Sequence, residues 1–265
     1  FKQKTAYEIM PSLVGSEMCI RDRMRILILA AGYGTRLYPL TLATPKALLS
    51  LGGRCLLDFL VEKIDNLKEK VKIDEVIIVS NHRFYEKFLE WNKGNNFVIL
   101  DDGSTSPKKR RGAIGDIKFA IHVKDDWLIL GSDNIFNWEL DGFIRFSLGK
   151  RPYPVIGIYR VKDKEKTMQL GVVKKEGDLV KELIEKPKEF VSDLVATCIY
   201  FFPKESLGFI DEYIKEKKDI DMIGDYIRWL AKKTKVFCYL FEGLWVDIGT
   251  KSSLKEAKKI FEDVH

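Results

Sequence analysis

The sequence predicts a single-domain α/β fold, a mostly parallel, doubly wound (Rossmann-like) mixed sheet with antiparallel additions in its second half. Three observations predict it. In the first half, short continuous apolar runs alternate with stretches of helical period, the rhythm of βαβαβ. In the second half, strand-like runs follow one another with fewer helices between them. The composition, 46% hydrophobic and 32% charged over 265 residues, suits one globular core and excludes disordered, collagenous and coiled-coil chains.

The first strand is expected at 25–30 (RILILA), apolar throughout, as a strand buried on both faces must be. Residues 56–67 (LLDFLVEKIDNL) carry apolar side chains at helical spacing. A second buried strand follows at 75–80 (EVIIVS), then a helix at 83–91, a short strand at 97–100 and a polar loop over 101–111. A helix at 113–121 leads to a third core strand at 127–130 (WLIL). The second half adds strands at 155–160, 171–175, 179–185, 196–202 and 236–241, with helices at 222–233 and 252–262. In such sheets ligands sit beyond the C-terminal ends of the strands, near the switch in strand order. No repeat, linker or low-complexity tract argues for a second domain.

Residues 1–23 (FKQKTAYEIMPSLVGSEMCIRDR) show neither period, and Glu8, Pro11 and Glu17 interrupt any signal-peptide core. The texture changes at Met24. The reading is therefore a non-native or disordered leader over 1–23 and one domain over 24–265.

Several function classes drop out. Four cysteines (Cys19, Cys55, Cys198, Cys238) form no CxxC pair, which argues against a zinc ribbon, a dithiol site or a disulfide framework and suits the cytoplasm. Three isolated histidines (His82, His122, His265) argue against a histidine metal site or a Ser-His-Asp triad. A net charge of +6 fits anionic ligands but is too small and dispersed to demand nucleic acid. No apolar run approaches the ~20 residues of a membrane span. The run Lys108-Lys109-Arg110-Arg111 has no interleaved aromatics for base stacking, so it reads as a solvated loop face that can attract an anion. The sequence leaves oligomeric state open, a homo-oligomer included.

Directly after the first strand, from Leu29, comes LAAGYGTRLYPLTLATPKALLSLGG. Gly32 and Gly34 let backbone N–H groups approach a phosphate or base closely. Arg36 and Lys46 share this loop, a planar fork and a point charge that together suit a polyphosphate. A dinucleotide fingerprint fails because Leu37 stands where its third glycine would be, and no Walker A pattern is present. For the short GxG alone, an ordinary glycine turn with solvated charges stays open.

The longer pattern of GYGTRL, PLT, PK and LL is followed in order by LGSDNIF at 130–136, GVV at 171–173, EKP at 185–187 and WVDIGT at 245–250. This set resembles the sugar-1-phosphate nucleotidyltransferases, from Met24 to about Thr250. Residues 102–117 resemble the base-binding segment of the family's glucose-1-phosphate thymidylyltransferase branch. The resemblance implies an Mg²⁺-dependent enzyme that condenses a nucleoside triphosphate with a sugar 1-phosphate, giving an NDP-sugar and pyrophosphate. Glucose 1-phosphate with dTTP is expected first and UTP next, ahead of a cytidylyl or guanylyl enzyme. The alternative is a non-catalytic nucleotide-sugar-binding regulatory subunit, against which the retention of Arg36, Lys46, Asp133, Lys186 and Asp247 counts.

By the same resemblance, Arg36 would grip the triphosphate and Lys46 would hold it from the other side. Ala31, Gly32, Gly34, Thr35, Asp102 and Gly112 would complete the nucleotide site. Lys186 would bind the sugar phosphate, with Gly171, Glu185 and Thr197 around the sugar. Asp133 and Asp247 would hold Mg²⁺; their distance in sequence cannot show that they meet. A phosphate monoester with a second pKa near ~6 is already largely a dianion at neutral pH, so no general base is required. Three departures stand out: Ser132 lies between Gly131 and Asp133, Cys198 stands where the family has glycine, and Ala31 replaces a common glycine. Little sequence follows Thr250, so an acyltransferase-type C-terminal domain is not expected.

Overall fold

The structure, a computed structural model, describes residues 20–217 and 219–261. The leader reading over 1–19, Cys19, His265 and the expected helix end at Glu262 lie outside the described residues. The chain forms β1 (Ile20–Leu29), α1 (Leu56–Lys68), β2 (Val71–Ser80), α2 (Tyr85–Trp91), β3 (Val98–Asp101), α3 (Ala113–Ala120) and β4 (Asp126–Gly131). There follow β5 (Asn134–Phe136), α4 (Asp141–Gly149), β6 (Val155–Arg160), α5 (Lys164–Thr167), β7 (Gly171–Glu176), β8 (Leu179–Glu185) and β9 (Leu194–Phe202). The last elements are α6 (Gly208–Glu216), α7 (Ile223–Lys233), β10 (Phe237–Phe241), β11 (Trp245–Asp247) and α8 (Lys251–Phe261).

Nine strands line up as β3-β2-β1-β4-β9-β6-β10-β8-β7, and β5 pairs with β11 in a small separate sheet. β3, β2, β1 and β4 are mutually parallel. β9 runs antiparallel between β4 and β6, β10 is parallel to β6, and β8 is antiparallel to β10 and β7. Only β9 and β8 therefore oppose the common direction, in line with the expected mixed sheet. The chain leaves β1 for β2 and β3 on one side and returns to β4 on the other. The crevice of that switch lies past Leu29 and Gly131.

Period-two alternation explains the continuous apolar runs. Ile26 and Ile28 meet Leu57, Leu60 and Ile64 of α1 on one face. Leu27 meets Ile114 and Ile117 of α3 and Ile227 of α7 on the other. A third cluster joins Leu37 and Leu49, from the segment after the glycine loop, to Ile135, Val246 and Leu254. It ties the glycine loop to the small sheet and α8, which fixes the elements bearing the charged residues.

Two expectations need revision. Pairing of β1 begins at Ile20, with Ile20 opposite Val71, so the strand extends ahead of Met24. The apolar run marks only its doubly buried centre. Helices α4 and α6 did not stand out in sequence, because their glycine and β-branched or aromatic residues have low helix propensity. Burial of Phe143, Ile144, Ile210 and Tyr213 supplies what propensity lacks.

Candidate functional site

A cleft of about 360 Å³ opens at this crevice, walled by the glycine loop, Lys46, Asp133 and the first turn of α3. Ala31, Gly32, Gly34, Thr35, Arg36 and Gly112 line it as well. The loop is fixed from behind. The Asn81 amide donates to the Ala31 carbonyl at 2.9 Å, the Tyr33 hydroxyl to the Ser104 carbonyl at 2.8 Å and Thr41 Oγ1 to the Gly34 carbonyl at 2.7 Å. Gly34 has φ +59, and an added Cβ would come within 3.1 Å of Thr41, so the turn needs glycine twice over. At Gly32 a Cβ would meet nothing, because that residue opens onto the cleft.

The small sheet brings the two aspartates together. Asp247 pairs with Asn134 in register, and the Ile248 N–H donates to the Asp133 carbonyl at 2.8 Å. Lys46 Nζ donates to Asp133 Oδ2 at 2.6 Å, and Asn134 Nδ2 to Oδ1 at 2.7 Å. Burial and the neighbouring Asp133 charge push Asp247 up to about 6, against the pull of Lys46, Arg36 and Lys166. Arg36 is exposed and its guanidinium lies beside Gly249, where an added Cβ would be 3.7 Å from Nη1 and 3.1 Å from Asp247 Oδ2. Two carboxylates and two cations from distant stretches thus meet at one end of the cleft. The serine inserted before Asp133 leaves this meeting intact, since β4 ends at Gly131 and β5 starts at Asn134.

Cys198 stands beside them with φ +54, the left-handed region that favours glycine. Its Cβ would be 2.8 Å from a Cβ on Gly131, so the two strands approach closely here. Burial, then Asp133 and Asp247, pushes its thiol up, so it is inert rather than nucleophilic. Cys198→Gly removes about 1–2 kcal/mol of left-handed strain, offset by roughly 0.5–1 kcal/mol of added chain entropy. The expected result is a higher denaturation midpoint; a lower one would show that thiol packing outweighs the strain.

The Glu185 carboxylate packs onto two glycines. An added Cβ would sit 1.9 Å from its Oε1 at Gly224 and 3.3 Å at Gly171. Burial, then the Asp225 charge, raises its pKa, against Lys186 and a hydrogen bond from the Gly224 backbone. Lys186 follows at φ 44, a left-handed lysine of the kind that clusters at functional sites, with its N–H on the Leu170 carbonyl at 3.0 Å. Charges of Glu185 and Asp133 both act on Cys198 and Tyr200, so this region adjoins the aspartates. Gly224 escaped sequence reasoning; its only signal was a glycine at the start of an amphipathic helix. Gly224→Ala must drive Glu185 aside, and a denaturation midpoint below the parent's is expected; an unchanged midpoint would show that the Glu185 carboxylate gives way freely.

Two expected site residues lie elsewhere. Asp102 is buried, with Oδ1 accepting from the Ser104 N–H at 2.6 Å and Oδ2 from the Ser104 hydroxyl at 2.9 Å. It shapes the loop before α3 rather than facing the cleft. Thr197 is fully buried and its Oγ1, with no hydrogen-bond partner, is turned toward Gly157, where a Cβ would be 2.7 Å away. Strand alternation puts it on the face opposite to Cys198. Conversely, Asp116 was not singled out. It lines the cleft, and burial, then Asp102, pushes its carboxyl up to about 7, against the Arg111 guanidinium.

The fold and this arrangement define a class: α/β proteins whose glycine turn, at the switch in strand order, faces cations and carboxylates across a cleft. Residues 25–264 match the model of the nucleotidyl transferase family, and the chain belongs to that family. It is 27% identical over 241 residues to the bifunctional protein GlmU of Methanocaldococcus jannaschii, covering 91% of this chain and 55% of that relative. It is 25% identical over 231 residues to the mannose-1-phosphate guanylyltransferase catalytic subunit beta of Dictyostelium discoideum, covering 85% of this chain and 61% of that one. The chain thus spans little more than half the length of these relatives. A UDP-glucose pyrophosphorylase solved with UDP-glucose superposes with a TM-score of 0.75 at 19% identity, over 91% of this chain and 99% of that one. That likeness shows the fold. Among the described residues no helix is long and apolar enough to cross a membrane.

Proposed function

We propose that the chain transfers a nucleotidyl group from a nucleoside triphosphate to a sugar 1-phosphate. One observation carries this reading: Arg36, Lys46, Asp133 and Asp247 converge at one end of a cleft whose wall is a glycine turn. A phosphate oxygen of the sugar 1-phosphate attacks the α-phosphorus in line. The bond from that phosphorus to the bridging oxygen of the β-phosphate breaks, and pyrophosphate leaves with the electron pair. The nucleophile is already a dianion, so the barrier is the repulsion of two polyanions and their alignment. Arg36 spans triphosphate oxygens with its fork, and Lys46, held on Asp133, adds a second positive charge. Lys186 holds the sugar phosphate, while Glu185 and the Gly171 backbone meet sugar hydroxyls. Fixed charges of this kind stabilise the transition state without reorganising.

The donor set at Asp133 and Asp247 fits the Mg²⁺ that the family resemblance implies. Two carboxylates share one site, and the like-charge repulsion that raises Asp247 is what a divalent cation relieves. Two carboxylates suit an ion that keeps several waters and takes substrate phosphates as ligands. Bound there, it would neutralise charge developing at the α-phosphate.

The proposed sugar is a hexose 1-phosphate, glucose 1-phosphate first. By resemblance, residues 102–117 favour dTTP and then UTP, but their carboxylates lie otherwise: Asp102 turns to Ser104 and Asp116 lines the cleft. A panel of nucleoside triphosphates crossed with hexose 1-phosphates, with Mg²⁺ present, tests the reading through pyrophosphate formation. Release is expected with at least one pair. Nucleotide-sugar binding without release across the panel would favour the regulatory-subunit alternative.

A further inference from the structure

Both oxygens of the Asp133 carboxylate already hold a donor. Oδ1 accepts from Asn134 Nδ2 at 2.7 Å, and Oδ2 from Lys46 Nζ at 2.6 Å. The two donors differ in how firmly they are placed. Asn134 is buried, and its Oδ1 accepts from the buried Trp245 Nε1 at 2.9 Å. Its amide cannot turn away from Asp133 without breaking that second bond. Trp245 is itself paired with Phe136 across the small sheet. Lys46 is different. Its backbone is pinned, with the Leu49 N–H donating to its carbonyl at 3.1 Å, but its side chain lines the cleft. A flexible four-carbon stem lets the ammonium move while the backbone stays. An ammonium and a divalent cation seek the same thing, negative charge at short range, so they compete for one oxygen. The only donor able to yield at Asp133 is Lys46.

On the reading that the two aspartates receive a divalent cation and the cleft a triphosphate, we propose that Lys46 is a displaceable counter-cation: the divalent ion takes Asp133 Oδ2 from it, and the freed ammonium turns to the triphosphate. Asn134 keeps Oδ1 throughout, so the carboxylate does not swing away when the lysine leaves. The metal alone must then bind against the Lys46 charge and the loss of an ion pair. With a triphosphate in the cleft, the same charge has a new partner and the opposition disappears. Metal and triphosphate therefore strengthen each other's binding, and by linkage the effect is mutual. Lysine suits this role better than arginine, whose planar fork would grip the carboxylate and yield less readily.

Calorimetric titration of the full chain with Mn²⁺ alone, then with inorganic tripolyphosphate at saturating Mn²⁺, tests the proposal. Lys46→Gln should bind Mn²⁺ at least about tenfold more tightly than the parent, because an opposing charge is gone. The same variant should bind tripolyphosphate about tenfold more weakly, because a charged donor is gone. This crossing of the two affinities is the signature. Mn²⁺ binding that is unchanged or weaker in Lys46→Gln would overturn the proposal, and so would tripolyphosphate binding that does not weaken. Adding Asp247→Asn to Lys46→Gln should abolish the tight Mn²⁺ binding; its persistence would place the ion elsewhere and overturn the proposal too. Lys46→Arg keeps the charge and should show no gain in Mn²⁺ affinity. It also identifies the Lys46 ammonium signal in nuclear magnetic resonance of the parent chain. That signal should shift as Mg²⁺ saturates the protein, a result that holds even if Lys46→Gln folds poorly; a signal unmoved at saturation would overturn the exchange. Crossed affinities without pyrophosphate release from any substrate pair would remove the transferase reading and leave this one standing. Pyrophosphate release with uncrossed affinities would do the reverse.

Discussion

Asp133→Asn protein should fold as the parent does and turn over about 10³-fold more slowly, the scale on which losing one stabiliser of transition-state charge acts. The fold survives because Asp133 is tied in by its backbone: its carbonyl accepts the Ile248 N–H whatever the side chain. The chemistry does not, because Asp133 Oδ2 holds Lys46 at 2.6 Å and its charge makes the site with Asp247 fit for a divalent cation. An amide cannot hold the lysine by charge, and it weakens the ligand set for Mg²⁺. Initial rates of pyrophosphate release, with circular dichroism as the control on folding, check this. A rate near the parent's would remove Asp133 from the mechanism.

Arg36→Ala should lower kcat/KM by roughly 10²–10³-fold for the same physical reason. Arg36 is exposed, so folding stability should change by no more than about 0.5 kcal/mol. Its loss also removes one of the positive charges acting against the rise of Asp247, so that carboxyl should move further up. Arg36→Lys restores the charge but not the planar fork, and should recover only part of the loss. Full recovery by lysine would show that Arg36 acts as a point charge; full activity of the alanine variant would remove it altogether.

Much of this was legible in the sequence, for reasons that differ by element. Strands buried on both faces announce themselves as apolar runs, which is why β1, β2 and β4 were readable to within a few residues. The glycine loop was readable because Gly34 must adopt positive φ and Gly32 must leave the cleft open. The meeting of Asp133 with Asp247 was not readable from spacing. It depends on the short β5–β11 pair, whose three-residue strands are too brief to carry a period. For Asp102 and Thr197 the motif gives a position in the chain and not the direction of a side chain; one turns to Ser104 and the other to Gly157. Cys198 was noticed as a substitution, but only the backbone shows why glycine suits that place. Asp116 went unseen because one aspartate in an amphipathic helix looks like a solvated face until its burial is known.

The central claim is that fixed cations bring two anionic substrates into direct reaction, with no group on the protein carrying the nucleotide between them. Exchange of radiolabelled pyrophosphate into nucleoside triphosphate tests it most directly, measured with Mg²⁺ and with or without the sugar 1-phosphate. The account predicts exchange only when the sugar nucleotide or sugar phosphate is present. Exchange by the protein and nucleoside triphosphate alone would reveal a nucleotidylated side chain and contradict the direct transfer.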